Sequence, residues 1–495
     1  MRVLFIVPYV PNLIRVRPYN LIRHLAARGH EVTILTLWST ERERADAEAL
    51  KQHCHRVVAL PLPRWRPLWN CLRALPTPVP LQAVYCWSPS LAQEIADRLS
   101  PIAYRSSPSA ICDQPSAISH PPSAISHQPY DIVHVEHLRG ARYGLNIQYP
   151  ISSPQPPTSN LQPPVIWDSV DCISLLFEQA LQMGPSLGSR LKAWLDLERT
   201  RRYEGWLVRQ FDRVLVTSPT DKEALEELAA SRKSQVAGHM SSATDKMQLA
   251  SLNPESETIT VLPNGVDLNY FSPMDVPRSP ATLVLTGKMS YHANVAAALY
   301  LVREIMPRVW AQRPDAKLCI VGKDPPKEIT KLKAQISNIQ YPISNPSQPP
   351  PAIRHQPSAI SHQPIAVTGT VSDIRPYLAQ ATVAVCPVLY SAGIQNKVLE
   401  AMAMGTPVVA TPQSCAALEV TNGENILIAE EPEEFAQRVL ELLDDAEFRE
   451  RIGRNGRRYV EEHHDWRDVA QRLEEIYQEV LEKCHCEACF PPSSS

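Results

Sequence analysis

A chain of 495 residues is long enough for two or three domains, each with a core of its own. Its 44% hydrophobic residues fit a globular protein, and a formal charge of −3 gives no global pull toward nucleic acid or anionic lipid. The apolar run Val3–Val10 is too short to cross a membrane, is broken by Pro8 and lacks a small-residue cleavage site. It reads as a first strand in a cytoplasmic protein, not as a signal peptide.

Arg2–Val7 is that strand. Arg17–Arg28 follows as an amphipathic helix with Leu21 and Leu25 on one face, stopped by Gly29, and Glu31–Leu37 is a second buried strand. Strand–helix–strand with so short a return implies parallel pairing through a crossover. Asp131–Val135, Val165–Trp167 and Arg213–Thr217 continue the strands, with Arg190–Gln210 a long helix before the last. After the turn tripeptide Pro263-Asn264-Gly265 the alternation starts afresh. Strand Thr282–Thr286, helix Val295–Gln312 and strand Lys317–Val321 lead to strands Ile365–Val367 and Thr382–Pro387, a helix from Ile394 to Met404, and strand Pro407–Ala410. Glu433–Lys483 reads as helical throughout. Two successive βα arrays predict an α/β protein of two doubly wound domains, residues 1–262 and 263–483, facing each other across a central cleft. Residues 484–495 are expected to be a disordered tail.

The 47 prolines outnumber the 16 glycines, and the excess is local. QPSAISH occurs at Gln114–His120 and Gln356–His362, PPSAISH at Pro121–His127, and NIQYPIS at Asn146–Ser152 and Asn338–Ser344. These copies have neither fixed spacing nor helix or strand periodicity. Residues 103–129, 146–164 and 336–364, with 231–257 as a fourth, are therefore expected to be low-complexity insertions into loops. Cysteines such as Cys319 and Cys386 sit in apolar runs as small core residues, while Cys484, His485, Cys486 and Cys489 lack the second ligand pair of a zinc site.

In Ser391–Thr411, Lys397 and Glu400 lie three apart on one side of a helix that emerges from a strand's carboxyl end. The N-terminus of such a helix favours an anion, and Lys397 adds a full charge; a surface Lys–Glu pair accounts for the same spacing. His134 and His137 end a strand of the first half, where a ligand-positioning and a structural role are both open. Asp168 and Asp171 invite a Mg²⁺ reading, but a helix cap is more economical and no metal is expected. Arg190–Arg213 mixes seven basic residues with Trp194, Tyr203 and Trp206. Its acids dilute that charge, so a domain helix with snorkelling arginines is preferred to a membrane-surface helix.

Asn396–Thr411, NKVLEAMAMGTPVVAT, resembles the nucleotide-sugar-binding helix of glycosyltransferase family 4, whose usual form is E-x7-E-A-M-A-x-G-x-P-V-V-A. His24–Val32, Asp131–His137, Val261–Phe271, Leu283–Lys288, Leu318–Lys323 and Gly369–Pro387 match further pieces in the family's order. The resemblance implies a GT-B fold and sugar transfer, with retention, from a UDP- or GDP-sugar to a glycan or lipid-linked acceptor, without cofactor or metal. It puts Lys288 and Lys397 on the diphosphate, Glu400 on the ribose or sugar, and the loop Val371–Ile374, Asp373 included, around the base. His137 falls to the transferred sugar or acceptor. Gly287 and Gly369 allow close backbone approach, and His292, Gly393, Ile394, Asn396 and Arg15 complete the expected contacts.

Three departures matter. Ala392 stands where the first glutamate belongs, and GIQNKVLEAMAM looks like a subgroup associated with exopolysaccharide clusters. Pro11–Arg15 replaces the family's Gly-Gly loop, and Met289–Asn294 lacks its second basic residue, with His292 the nearest substitute. A lipid-linked acceptor would bring the enzyme to the inner face of the cytoplasmic membrane. The rival readings are a sugar-nucleotide 2-epimerase of the same fold, which needs carboxylates gathered around the sugar, and a non-catalytic relic.

Overall fold

The computed structural model describes residues 1–12, 15–99, 129–148, 162–183, 187–236, 258–332, 364–390 and 393–489. They form two compact units. The first joins Met1–Glu178 and Ala193–Asn264 with the segment from Trp466 onward; the second joins Gln179–Lys192 with Gly265–Asp465.

The sheet of the first unit contains β1 (Arg2–Val7), β2 (Glu31–Trp38), β3 (Arg56–Pro61), β4 (Ile132–Glu136), β5 (Val165–Val170), β6 (Arg213–Val216) and β7 (Ile259–Val261). Their order is β3-β2-β1-β4-β5-β6-β7, parallel throughout. The inner strands are covered on both faces, which is why β1 is apolar at almost every position and not alternately, and why every residue of β4 is buried, His134 and Glu136 included. Helices α1 (Val16–Ala27), α2 (Glu41–Leu50), α3 (Arg66–Ala74), α4 (Leu81–Tyr85) and α5 (Pro89–Leu99) precede β4. Helices α6 (His137–Gln148), α7 (Ile173–Met183), α8 (Leu187–Leu207) and α9 (Pro219–Val236) follow it. The order reverses between β1 and β4, and a doubly wound sheet leaves a crevice at the carboxyl ends of such a pair.

The last helix, Trp466–Cys489, corrects the expected 263–483 domain. Trp466, Val469, Leu473 and Ile476 share a core with Val3 and Phe5 of β1 and Val32 of β2. Arg28 Nε donates to Glu474 at 2.6 Å, and the Tyr477 hydroxyl bonds His134 Nδ1 at 2.9 Å. Periodicity shows that this helix has an apolar stripe, but only long-range packing decides which core receives it. Cys484–Cys489 continue the helix instead of opening the expected tail, because no glycine or proline interrupts the chain before Pro491.

The second unit has β8 (Thr282–Thr286), β9 (Lys317–Val321), β10 (Ile365–Val367), β11 (Val383–Cys386), β12 (Val408–Ala410) and β13 (Leu427–Ile428), ordered β10-β9-β8-β11-β12-β13 and again all parallel. Its reversal falls between β8 and β11. The expected helix Val295–Gln312 is α10 (His292–Tyr300) and α11 (Met306–Gln312) joined by a π turn, Leu301–Ile305. The Met306 amide donates to Leu301 O there, ahead of Pro307, which has no N–H to continue an α-helical ladder. Next come α12 (Lys327–Thr330), α13 (Arg375–Gln380), α14 (Asn396–Ala403), α15 (Pro412–Cys415), α16 (Pro432–Asp444) and α17 (Ala446–His463). The run read as one helix from Glu433 is thus broken twice, first where Asp445 caps α17 by accepting from the Phe448 amide at 2.9 Å.

Of the expected insertions, 103–128, 149–161, 237–257 and 336–363 lie outside the described residues, as does Ala392. Asn146–Gln148 instead finish α6, and Ser231–Val236 finish α9.

Candidate functional site

In the second unit the site residues gather at the carboxyl ends of β8 and β11. β8 ends in Gly287 at φ 146°, where a Cβ would meet Asn294 Nδ2 at 2.9 Å and Lys397 Cε at 3.5 Å. A Cβ on Gly322, just past β9, would lie 1.7 Å from the Gly287 carbonyl oxygen. The two adjacent strand ends close on each other because Gly322 has no Cβ, while Gly287 leaves room for Asn294 and Lys397. Lys288 follows, and its carbonyl accepts from Asn294 Nδ2 at 3.0 Å. The other end of that buried amide, Asn294 Oδ1, accepts from Lys397 Nζ at 2.7 Å, and Gln395 Oε1 accepts from the same ammonium at 3.0 Å. Asn294 therefore ties the two lysine-bearing segments together.

The spacing of Lys397 and Glu400 allowed a surface ion pair. Among the described residues no salt bridge joins them; the partners of Lys397 are two neutral amide oxygens, which orient its charge without cancelling it. Burial pushes the Glu400 carboxyl up to about 7, opposed by Lys397. Near neutrality it can both donate to and accept from a hydroxyl. Gly393 turns the chain into α14 at φ 66°, Ile394 is buried beneath it, and Asn396 opens the helix. Arg457 and Arg278 hold the far end, with Arg457 Nη1 donating to Ala403 O at 2.6 Å and Arg278 Nη2 to Gly405 O at 2.8 Å.

His292 does not supply the missing second cation. It stacks on Tyr390 with centroids 5.5 Å apart, its Nδ1 lies 2.7 Å from the Tyr390 hydroxyl, and burial lowers its pKa. The loop after β10 starts at Gly369, φ 74°. Asp373 there accepts from Arg375 Nε and Nη2 at 3.0 and 2.7 Å and from the Tyr270 hydroxyl at 3.3 Å, while the guanidinium lies 3.9 Å over the Tyr270 ring. The Asp373 side chain thus anchors the loop, and Val371 and Ile374 are only partly buried.

In the first unit, His137 sits at the carboxyl end of β4 with φ 64°, a conformation costly for a residue with a Cβ. Its Nδ1 accepts from the Arg139 amide at 3.3 Å, so the neutral ring carries its proton on Nε2. Burial and Arg139 push its pKa down to about 3. Past β1, Arg15 lies 4.7 Å over the Tyr9 ring and bonds Glu43 at 3.3 Å and Val10 O at 3.1 Å. His134 is structural: it stacks on Phe5 at 4.3 Å, with Nε2 3.4 Å from Asp168. Asp168 is no helix cap. It lies inside β5, where Arg17 Nε donates to it at 2.7 Å while Arg17 Nη1 reaches Leu262 O and Asn264 Oδ1. An arginine at the head of an apolar stripe with Leu21 and Leu25 was the available sign of that buried pair.

Glu136 was missed. It is 2% exposed beside Tyr9, and burial with the neighbouring Asp168 raises its carboxyl to about 8. Asn294, Gln395 and Tyr390 were missed as well; only Asn294 carries a signal, an amide set in an alanine-rich helix. A cavity of ≈ 500 Å³ beside Trp38, Arg44, Lys51 and Arg56 contains none of the site residues.

Residues 280–445 match the family described as Glycosyl transferases group 1, and residues 14–237 match the Glycosyl transferase 4-like domain. A GDP-mannose-dependent monoacylated alpha-(1-6)-phosphatidylinositol monomannoside mannosyltransferase of Corynebacterium glutamicum is 27% identical over 238 residues, 45% of this chain and 56% of that protein. The capsular polysaccharide biosynthesis glycosyltransferase CapM of Staphylococcus aureus is 32% identical over 115 residues, 23% of this chain and 30% of that protein. The chain thus matches about a third to about half of the length of these relatives. Among solved structures, sucrose-phosphate synthase from Thermosynechococcus elongatus superposes with a TM-score of 0.59 at 15% identity, covering 98% of this chain and 100% of the other. HepE of Anabaena, in complex with UDP and glucose, gives 0.58 at 14% identity, covering 97% and 100%. The fold is GT-B.

Proposed function

We propose, on the premise that a chain of GT-B fold with a glycosyl transferase domain in each half is a glycosyltransferase, that it moves a sugar from a nucleotide-sugar to a glycan or lipid-linked acceptor. The observation that carries this reading is the Lys397 ammonium, pinned between Asn294 and Gln395 beside Gly287 and Lys288 at the sheet's reversal point. A departing nucleoside diphosphate gains negative charge, and fixed cations with a helix N-terminus stabilise it without reorganising. Lys397 and Lys288 take that role, with Glu400 bonding a ribose or sugar hydroxyl and the backbone at Val371–Ile374 lining the base. His137, neutral and with Nε2–H free to donate, positions the transferred sugar. This chemistry needs no metal and no cofactor.

The donor class is supported by the UDP and glucose bound to HepE and by the GDP-mannose dependence in the mannosyltransferase's name. The capsular polysaccharide relative supports a role in exopolysaccharide or envelope polysaccharide synthesis. On this reading the enzyme works in the cytoplasm at the membrane's inner face and transfers the sugar with retention at the anomeric carbon. Incubation with a panel of UDP- and GDP-sugars, with and without acceptor glycans, should give acceptor-dependent nucleotide release that survives EDTA. Folded protein that releases no nucleotide from any donor would remove the reading. Loss with EDTA that Mg²⁺ or Mn²⁺ restores would remove its metal-free part.

A further inference from the structure

Helix α3 is amphipathic with its apolar side outward. Trp65, at its N-terminal edge, and Leu68, Trp69, Leu72 and Leu75 recur at helical spacing and are 60%, 66%, 48%, 51% and 47% exposed. They cover an arc of ~120° at 100° per residue. The opposite face is the one the protein uses: Pro67 and Ala74 are buried, and Asn70 Nδ2 donates to Trp87 O at 2.9 Å. Single exposed leucines are ordinary, but five large apolar side chains on one stripe are not. The patch continues onto α8, where Trp194 and Leu195 are 66% and 52% exposed. Arg199 of α8 donates to Leu75 O at 2.7 Å, which places that helix at the end of α3.

Charge selects among occupants. Between Glu48 and Glu94 the chain has 45 residues without one acid, while Lys51, Arg56, Arg64, Arg66 and Arg73 all fall within them. Arg66 and Arg73 belong to α3 itself, on the flank of the apolar stripe. A second copy of this chain, or a neutral partner, would gain nothing from that one-sided charge. Tryptophan and leucine buried at the headgroup level, with arginines reaching phosphates beside them, suit an anionic bilayer surface.

We propose that α3, extended by Trp194 and Leu195, docks the first unit onto the surface of an anionic membrane. This deepens the reading of a lipid-linked acceptor but does not depend on catalysis. The test is flotation of the full chain with vesicles of phosphatidylcholine alone or with phosphatidylglycerol, followed in parallel by tryptophan emission. Binding to the anionic vesicles with a blue shift is expected, and at least about tenfold weaker binding for Trp65→Ser/Trp69→Ser. Arg66→Glu/Arg73→Glu should lose binding to a similar degree, more so as salt rises. Both pairs are at the surface, so unchanged melting shows that they fold. Nucleotide release with a soluble acceptor should be unaffected, which separates this proposal from the transferase reading. Absence of binding to anionic vesicles overturns it, as does binding that both variants retain. A wild-type dimer that either variant dissolves would show that the patch is covered by a second copy instead.

Discussion

Lys397 is bonded to two amide oxygens, so its charge is aimed but not neutralised. Lys397→Ala should fold and lose turnover by on the order of 10²–10³, the usual effect of removing one preorganised charge contact. Lys288→Ala should follow it. Folded variants at both positions with near-normal kcat would dismiss the site. Asn294→Asp is the subtler probe, because it puts a carboxylate on the ammonium and removes the Nδ2–H that the Lys288 carbonyl accepts. In protein that still melts cooperatively its turnover should fall about as far as that of Lys397→Ala, and a folded variant with near-normal kcat would show that the tie does not tune that charge. Glu400 has its own pH signature. Its carboxyl is raised to about 7 in the folded state, so the fold binds a proton there that the unfolded chain gives up above about pH 4.5. That contribution to stability is complete below about pH 4.5 and is lost as pH rises through 7. Glu400→Gln should therefore gain in melting temperature over the parent at pH 8 and not at pH 5. An equal difference at both pH values would contradict the raised pKa.

Among the elements, β8 and β9 meet through two glycines, and Gly322→Ala should be severe because its Cβ would overlap the Gly287 carbonyl. Loss of cooperative urea unfolding, or of several kcal/mol, is expected, as for other forced overlaps in packed cores. Most strands were legible in sequence because they read as short apolar runs buried on both faces. The edge strands β3, β7 and β13 were not: β3 is only half-buried along its length, and β7 and β13 are three and two residues long. The lysines of the site were legible through motif order. Asn294, Tyr390 and Glu136 were not, because their importance lies in what approaches them from distant segments: Lys397 is 103 residues from Asn294 and Tyr390 is 98 from His292. Helix breaks at Asp445 and at the π turn before Pro307 escaped for a related reason. Apolar periodicity runs on through a short cap or an extra residue without losing its phase over so few turns.

At the scale of the whole molecule, the first unit stores protons. Glu136, Asp171 and Glu204 are raised to about 8, 7 and 7, burial being the first cause of each. Unfolded, all three would be ionised by neutral pH, so their combined stabilisation drains as pH climbs from about 5 to about 8. His137, held neutral down to about 3, acts on the other side: below about pH 6.5 the unfolded chain takes a proton that the fold refuses. Melting temperature should therefore decline between pH 6.5 and 8.5, and Glu136→Gln should flatten the decline; a parental slope would rule Glu136 out as a source. The return of Trp466–Cys489 to the first core has a consequence in time. A ribosome delivers β1 long before that helix, so the core of the first unit is completed only after residues 265–465 have been made. Until then Val3, Phe5 and Val32 have no cover from Trp466 and Leu473, and a nascent chain stalled anywhere before residue 466 should present an open apolar face to chaperones. A chain ended at Asp465 should accordingly bind a hydrophobic dye and lose the folding of its N-terminal half, with proteolysis cutting first there and sparing Gly265–Asp465.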